Sequence, residues 1–389
     1  MQDAGCRMQD TRCRNLASCL LLLASCFLFL TSCSSPLARF PGTVRPTVKI
    51  GLVAPFEGRY RYIGYEVIYG VRLALREANH AGGVGGYNVE LVAYDDGADP
   101  TMASEQARKL AVDPEVVTAI GHFREETTAA ALSAYAEAGI PLVAPAVLDP
   151  ALTQGEAQFY RLGPAADTLA RVLLDHVGRD DVVALGSDGG PLGAALVEPA
   201  SQQGIKVSTA VSPDAGDWLG EMLASGADAA FCDAAPVTAG EVVAALREAG
   251  WEGDFLGGPD LAASDFAAVA GQATEGTLFV TPYPFPADVS GSGDFIAAYQ
   301  NVSNGTPPGP LALPAYEATW VLLEALERDI AAHGKPTREG VAAALPATER
   351  KGLLGRVTFD NEHNWGDVPL YWYRTSAAEG RAVLLTAQE

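Results

Sequence analysis

The chain has 389 residues, 48% of them hydrophobic, with 41 Gly, 25 Pro and a formal net charge of −22. That length exceeds one ordinary core and predicts two domains, and the composition is that of a soluble α/β protein rather than a disordered chain. An acidic body repels nucleic acid and anionic lipid, which argues against either as a partner; solubility outside the cell is the plainer use of such a charge.

The amino end reads as an address. Cys6, Cys13, Cys19, Cys26 and Cys33 crowd it, and only Cys232 lies beyond. The body therefore has no disulfide framework, and Cys232, in the apolar run AAFCDAA, reads as a small buried hydrophobe. Arg12 and Arg14 precede an apolar run from Leu16 to Leu30, followed by Thr31, Ser32 and Cys33. This is a charged region, a hydrophobic region and small residues before a cleavage point. The run is shorter than the roughly 18 to 20 residues of a membrane span. Leu30-Thr31-Ser32-Cys33 resembles a bacterial lipobox, in which the cysteine is diacylated and becomes the new amino terminus. Leu23-Ala24-Ser25-Cys26 fits the same pattern, but cleavage there leaves Phe27-Leu28-Phe29-Leu30 exposed, whereas Ser34-Ser35-Pro36 follow Cys33. Residues 1–32 are read as a lipoprotein signal peptide and 33–46 as a tether, with Cys33 lipidated. An uncleaved signal anchor is the alternative, and Met8 is an alternative start.

The body alternates strand and helix. Thr47 to Ala54 is apolar almost throughout, as a central strand buried on both faces would be. Pro55 to Ile63 reads as a loop with two exposed tyrosines, Tyr60 and Tyr62. Gly64 to His80 is helical, with Val67, Val71, Leu75 and Ala78 at helical spacing. Strand 88–94 and helix 100–112 follow. Val116 to Ile120 is a short buried strand, Glu126 to Ala138 a helix stopped by Gly139, and Pro141 to Ala144 the next strand. The turns His122–Thr127 and Pro145–Leu148 follow successive parallel strands. In an open α/β sheet such turns sit at the strands' carboxyl ends, where ligands bind, and a helix starting there points unsatisfied N–H groups at the ligand. Further on, 181–185, 205–210, 227–232 and 254–257 read as strands, with helices over 192–203 and 238–249. This alternation predicts a second parallel sheet with helices on both faces.

The segments GLVAPFEG, GVRLALREANHAGGVGG, VELVAYDDGADP, AIGHFREETTAA and GIPLVAPAVLDPALT occur in that order. Together with FYRLGPAAD, GPDLAAS, GTLFVTPYP, AYEATWVLLEAL and LLGRVTFDNEHN they resemble type I periplasmic substrate-binding proteins, over residues 47–375. The most similar branch is that of the leucine/isoleucine/valine-binding receptors of ABC transporters. The resemblance implies two doubly wound parallel-sheet lobes joined by a three-strand hinge. The crossings fall near Leu162–Ala165, Val280–Pro284 and Leu345–Gly355. Lobe 1 is then 47–163 plus 282–345, with helices Gly293–Asn301 and Leu313–Ala332. Lobe 2 is 164–281 plus 346–389, with final strands Val357–Phe359 and Leu370–Tyr373.

The resemblance also implies a site. The family's first turn, matching Arg124–Thr128, holds a ligand carboxylate through a serine, a threonine and backbone N–H groups. Its second, matching Pro145–Leu148, offers a carbonyl, here that of Ala146, and another threonine. A second-lobe tyrosine and an acidic residue complete the clamp. This chain departs at Glu125 for the serine, Leu148 for the second threonine and Leu192 for the tyrosine, while Asp260 keeps the acidic position. Ala98 and Arg124 replace two cysteines that some relatives bridge. Thr127 or Thr128 can still supply a hydroxyl. Glu125 has two readings: an acidic residue favourable in a helix's first turn, or a carboxylate facing the cleft. The second repels a ligand carboxylate and favours a cation or a hydroxyl donor, unless Arg124 offsets it by binding the carboxylate bidentately. Tyr60, Tyr62 and Tyr283 are candidate aromatic walls; Asp260 is either an ionic ligand contact or a helix N-cap.

No G-x-S-x-G, Walker loop or H-E-x-x-H is present, and the five histidines lack ligand spacing, so neither catalysis, nor a metal, nor a cofactor is expected. Gly186-Ser187-Asp188-Gly189-Gly190 follows a strand but lacks a phosphate-binding pattern, and reads better as a loop facing the cleft. The resulting expectation is a lipid-anchored extracytoplasmic receptor. It closes on a small polar solute, such as a cationic amino acid, an amide or a polyol, and docks on an ABC permease. A sensing or regulatory lipoprotein on the same fold is the alternative. A hydrolase using Glu125 and Asp260 lacks a nucleophile.

Overall fold

The computed structural model describes residues 45–388 apart from 157, 179–180, 188–189, 212–215 and 367. The signal peptide, Met8, Cys26, Cys33, nearly all of the tether and the Asp188-Gly189 pair lie outside the described residues.

The first sheet is β1 (Thr47–Ala54), β2 (Asn88–Asp95), β3 (Val116–Ile120), β4 (Leu142–Ala144) and β5 (Phe159–Arg161), in the order β2-β1-β3-β4-β5. All its pairings are parallel. Local chemistry sets its helices. Helix α1 (Arg61–His80) starts three residues earlier than the spacing predicts, because 58–60 form a 3-10 turn that leads into it. Helix α2 (Pro100–Val112) has Pro at its first turn and Asp99 as N-cap, accepting from Met102 N at 2.8 Å. Helix α3 (Glu125–Ala138) ends on Gly139 at φ 67°, the left-handed stop.

The second sheet begins with α4 (Ala166–Leu174), β6 (Val182–Ser187), α5 (Pro191–Gln203), β7 (Lys206–Val211) and α6 (Trp218–Ala224). It continues through β8 (Ala229–Asp233), α7 (Pro236–Glu248), β9 (Asp254–Gly257), α8 (Ser264–Ala270) and β10 (Leu278–Thr281). Helices α9 (Gly293–Val302), α10 (Ala312–His333) and α11 (Arg338–Ala344) then return to the first sheet's side, burying Phe295, Tyr299 and Leu322 with Val67 and Val71 of α1. Gly70 of α1 permits the close approach of α10, since a Cβ there would collide with the Ala312 carbonyl oxygen.

Two expectations change at the carboxyl end. Val357 does not join the large sheet. It belongs to a hairpin of β11 (Arg350–Gly352) and β12 (Gly355–Val357), and Leu354, Val357 and Trp365 are buried with α1 and α10. The chain enters the large sheet only at β13 (Leu370–Ser376), followed by β14 (Arg381–Gln388). The reason is a buried carboxylate: Glu317 of α10 accepts from Leu353 N at 2.8 Å and Arg350 Nε at 3.1 Å, which fastens the hairpin to that helix. The large sheet, in order β14-β13-β10-β9-β8-β6-β7, is parallel except at one edge, where β13 runs antiparallel to both β10 and β14.

Arg338 closes the end of the first sheet remote from the strands' carboxyl edge. Its guanidinium donates to the carbonyls of Val116 (2.9 Å), Ala138 (3.0 Å), Ala111 (3.1 Å) and Asp113 (2.8 Å). These include the last carbonyls of α2 and α3, where a cation also meets the negative ends of the helix dipoles. Charge-assisted bonds each contribute about 1.5 to 3 kcal/mol, and loss of one donor orphans several acceptors together. Arg338→Met is therefore expected to destabilise the chain by about 3 kcal/mol, read as a lower urea midpoint with an unchanged m value.

Candidate functional site

The carboxyl edges of the two sheets enclose one cavity, of about 840 Å³ including its open mouth. Its first wall is built after β3. Gly121 is required there: φ is 126°, and a Cβ would collide with the Val53 carbonyl. His122 is fully buried, Nδ1 lying 2.6 Å from Asp96 Oδ2 and Nε2 3.3 Å from the Tyr135 hydroxyl. This fixes the turn that delivers Phe123, Arg124 and Glu125. The turn after β4 is held from behind by Arg161, 1% exposed, which donates to the Leu148 carbonyl at 2.9 Å, to the Pro164 carbonyl and to Asn364 Oδ1 at 3.0 Å.

Across the cavity, Arg124 Nη1 donates to Asp260 Oδ2 at 3.0 Å, and the Tyr62 hydroxyl donates to Asp260 Oδ1 at 3.3 Å. The Arg124 guanidinium lies 4.3 Å from the centre of the Tyr60 ring, a cation–π contact. Asp260 sits on the 3-10 helix Pro259–Ala262, and its side chain caps neither that helix nor α8. The N-cap alternative therefore does not hold; the carboxylate pairs with Arg124.

Glu125 is on the cavity wall and Oε1 accepts from Leu148 N at 2.9 Å. It is also in the first turn of α3, so the helix-start position and the cavity-wall position coincide in this residue. Shielding from water, opposed by Arg124 and the Leu148 N–H, pushes its carboxyl up to about 7. Glu66, which the sequence reading passed over, is on the same wall. It accepts from Leu311 N at 3.0 Å, and shielding from water pushes it up to about 7 as well. Asp233, the last residue of β8, also lines the cavity and accepts from Gly193 N at 2.7 Å. Tyr283 is 2% exposed, and its hydroxyl lacks a hydrogen-bond partner.

Of the expected residues, Tyr62, Arg124, Glu125, Ala146, Leu148, Leu192, Asp260 and Tyr283 meet on this cavity, as does Gly190 from the glycine-rich loop. Three do not. Tyr60 is not an exposed wall: it is 8% exposed and lies beneath Arg124. Thr127 and Thr128 are buried and donate to the Arg124 carbonyl at 3.1 and 2.7 Å, so their hydroxyls close the first turn of α3 instead of facing a ligand. Asp233 carried a readable signal, an acidic residue ending an apolar strand. Glu66 carried none, being one polar residue within an amphipathic helix.

The raised carboxyls give a signed pH effect. An ordinary glutamate titrates near 4.5. Between 4.5 and about 7 the folded chain keeps protons at Glu66 and Glu125 that the unfolded chain has released, so their contribution to stability falls as pH rises through that window. The wild type is expected to lose urea stability from pH 5 to pH 8 relative to the double variant Glu66→Gln/Glu125→Gln, in which this contribution is absent.

The periplasmic binding protein family model matches residues 47–380. A leucine-, isoleucine-, valine-, threonine- and alanine-binding protein of Pseudomonas aeruginosa is 27% identical over 329 residues, 81% of this chain and 86% of that protein. A Leu/Ile/Val-binding protein of Escherichia coli is 24% identical over 330 residues, 81% and 87% of the two chains. Among solved structures, a leucine-binding protein of Thermotoga maritima superposes with a TM-score of 0.78 at 22% identity, covering 87% of this chain and 98% of its own. A solute-binding protein of Rhodopseudomonas palustris in complex with 4-hydroxybenzoate gives 0.76 at 19% identity, covering 88% and 97%. Two α/β lobes, a cleft at the carboxyl edges of their sheets and a family match over residues 47–380 lead to one assignment: the chain belongs to the periplasmic binding protein family, and within it is similar to the leucine/isoleucine/valine-binding proteins.

Proposed function

We propose that the protein is the extracytoplasmic solute receptor of an ABC importer, binding a small polar solute, an amino acid or a similar compound, without turning it over. The observation that carries this is the Arg124–Asp260 pair, which joins the edge of one sheet to the edge of the other across the cavity. A ligand that touches both edges favours the closed form, because it contacts both lobes only when they are shut. We keep lobe 1 as residues 47–163 with 282–345 and lobe 2 as 164–281 with 346–389, except that 346–365 is moved to lobe 1 because Leu354, Val357 and Trp365 pack with α1 and α10. The names of the Pseudomonas and Escherichia relatives support the amino-acid class. Cys33 anchors the chain to the membrane and the closed lobes dock on the permease.

Thermal unfolding of the full chain in mild detergent, followed by tryptophan fluorescence against neutral, acidic and cationic amino acids, amides, amines and aromatic acids, tests the binding role. One chemical class is expected to stabilise by about 2.7 kcal/mol at a hundred times its dissociation constant. A flat response to every class would remove the solute-receptor reading. Anchoring has its own readout: Cys33→Ser is expected to abolish labelling by radioactive palmitate and to move the protein out of the membrane fraction, while Cys26→Ser leaves both unchanged.

A further inference from the structure

Among the described residues Arg124 is the one cationic side chain on the cavity wall, and four carboxylates share that wall: Glu66, Glu125, Asp233 and Asp260. Arg124 is engaged with Asp260 at 3.0 Å and with the Tyr60 ring. Among the described residues neither Glu66 nor Glu125 forms an ion pair. Each accepts a backbone N–H, from Leu311 and Leu148 respectively, which holds the carboxyl in place without neutralising it. An independent observation points to a ligand at the same wall. The Tyr283 hydroxyl is buried, belongs to a residue lining the cavity and has no hydrogen-bond partner among the described residues, whereas the large majority of buried polar side-chain atoms in native proteins are hydrogen-bonded. Tyr283 and Glu125 line the same cavity, and the Tyr283 hydroxyl feels both the Arg161 guanidinium and the Glu125 carboxyl.

We propose that this cleft takes a small organic cation, a primary amine, amidine or guanidine, whose charged N–H groups pair with Glu125 and Glu66 and donate to the Tyr283 oxygen. The proposal rests on the solute-receptor reading and narrows its ligand class. An anionic ligand would have to displace Asp260 from Arg124 and then face the remaining carboxylates. A cation meets carboxyls that have no direct ion-pair partner among the described residues, and each charge-assisted bond it forms is stronger than a neutral one.

Binding of this kind is linked to protons. Arg124, Arg161, Glu126 and Tyr283 face Glu125, and Tyr62 and Tyr299 face Glu66. A bound cation favours the ionised form of both carboxyls and draws them down from about 7. Below that pH binding therefore releases protons, and affinity rises as pH rises from 5 to 8.

The test is isothermal titration calorimetry on the full chain in detergent at pH 6.5, in two buffers of different ionisation enthalpy. The probes are agmatine, cadaverine, arginine, lysine, leucine and 4-hydroxybenzoate. The expected result is binding of cationic probes with proton release, and none with leucine or 4-hydroxybenzoate. If the amines bind, the cation alone is recognised. If only arginine or lysine binds, the cation also carries a carboxylate, for which Arg124 exchanges Asp260. Glu125→Gln is expected to weaken the cation about tenfold or more and to reduce the proton release. Tyr283→Phe is expected to weaken it while leaving the proton release intact. If Glu125→Gln does not fold, Glu66→Gln carries the same expectation. Binding of leucine or 4-hydroxybenzoate without any cation overturns this proposal and leaves the receptor reading standing. Binding of no probe overturns this proposal, and the wider thermal panel then decides the receptor reading.

Discussion

Arg124 and Asp260 are 136 positions apart in sequence and 3.0 Å apart in space, and the site depends on that meeting. The pair is partly screened, with side-chain exposures of 13% and 33%, so desolvation cancels much of its Coulomb energy. Its larger effect is geometric. A guanidinium is planar and presents its donors in a fixed fork, so it fixes both the distance and the orientation of what it binds. Tyr60 packs against one face of that fork, and the Tyr62 hydroxyl holds the other oxygen of the carboxylate. Tyr60 from the 3-10 turn before α1, Tyr62 from the first turn of α1, Arg124 from the turn after β3 and Asp260 from the 3-10 helix after β9 thus meet between the two sheet edges.

The remaining wall carries a charge imbalance that folding alone does not explain. Holding a carboxyl away from water without a direct ion pair is unfavourable, and the rise of Glu66 and Glu125 toward 7, which Arg124 offsets only in part at Glu125, is the signature of that cost. The backbone N–H groups of Leu148 and Leu311 reduce it only in part. Glu125 also ties the first turn of α3 to the turn after β4. A substitution there therefore changes both the electrostatics of the cavity and the position of its wall.

Two guanidinium groups, one of them buried behind the wall, act as collectors of carbonyls. Arg161 gathers Leu148, Pro164 and Asn364, joining a site turn to two segments near the passages between the sheets. Arg338 does the same for the opposite end of the first sheet. Both satisfy backbone acceptors at element ends that have no partner within their own element.

The sequence by itself determined the elements and their order. β1, α2, β3 and β9 have the limits that their apolar runs, the Asp99 cap and the bounding turns imply, because those signals act within a few residues. It also determined which turns face the cleft, since strand direction and the alternation of strand and helix place them at the carboxyl edges. Only the tertiary structure decided what each polar side chain does there. Tyr60 looked exposed and lies under Arg124; Thr127 and Thr128 looked available and are bound to the Arg124 carbonyl. Glu66 looked like one surface residue of α1 and instead meets Leu311, 245 positions away. Val357 looked like a strand of the large sheet and is held on α10 through the Glu317 contacts of its hairpin. The physical reason is range. Caps, apolar periods and turns are settled by neighbours along the chain, whereas the partner of a buried charge is settled by whichever distant segment the fold brings within about 3 Å of it.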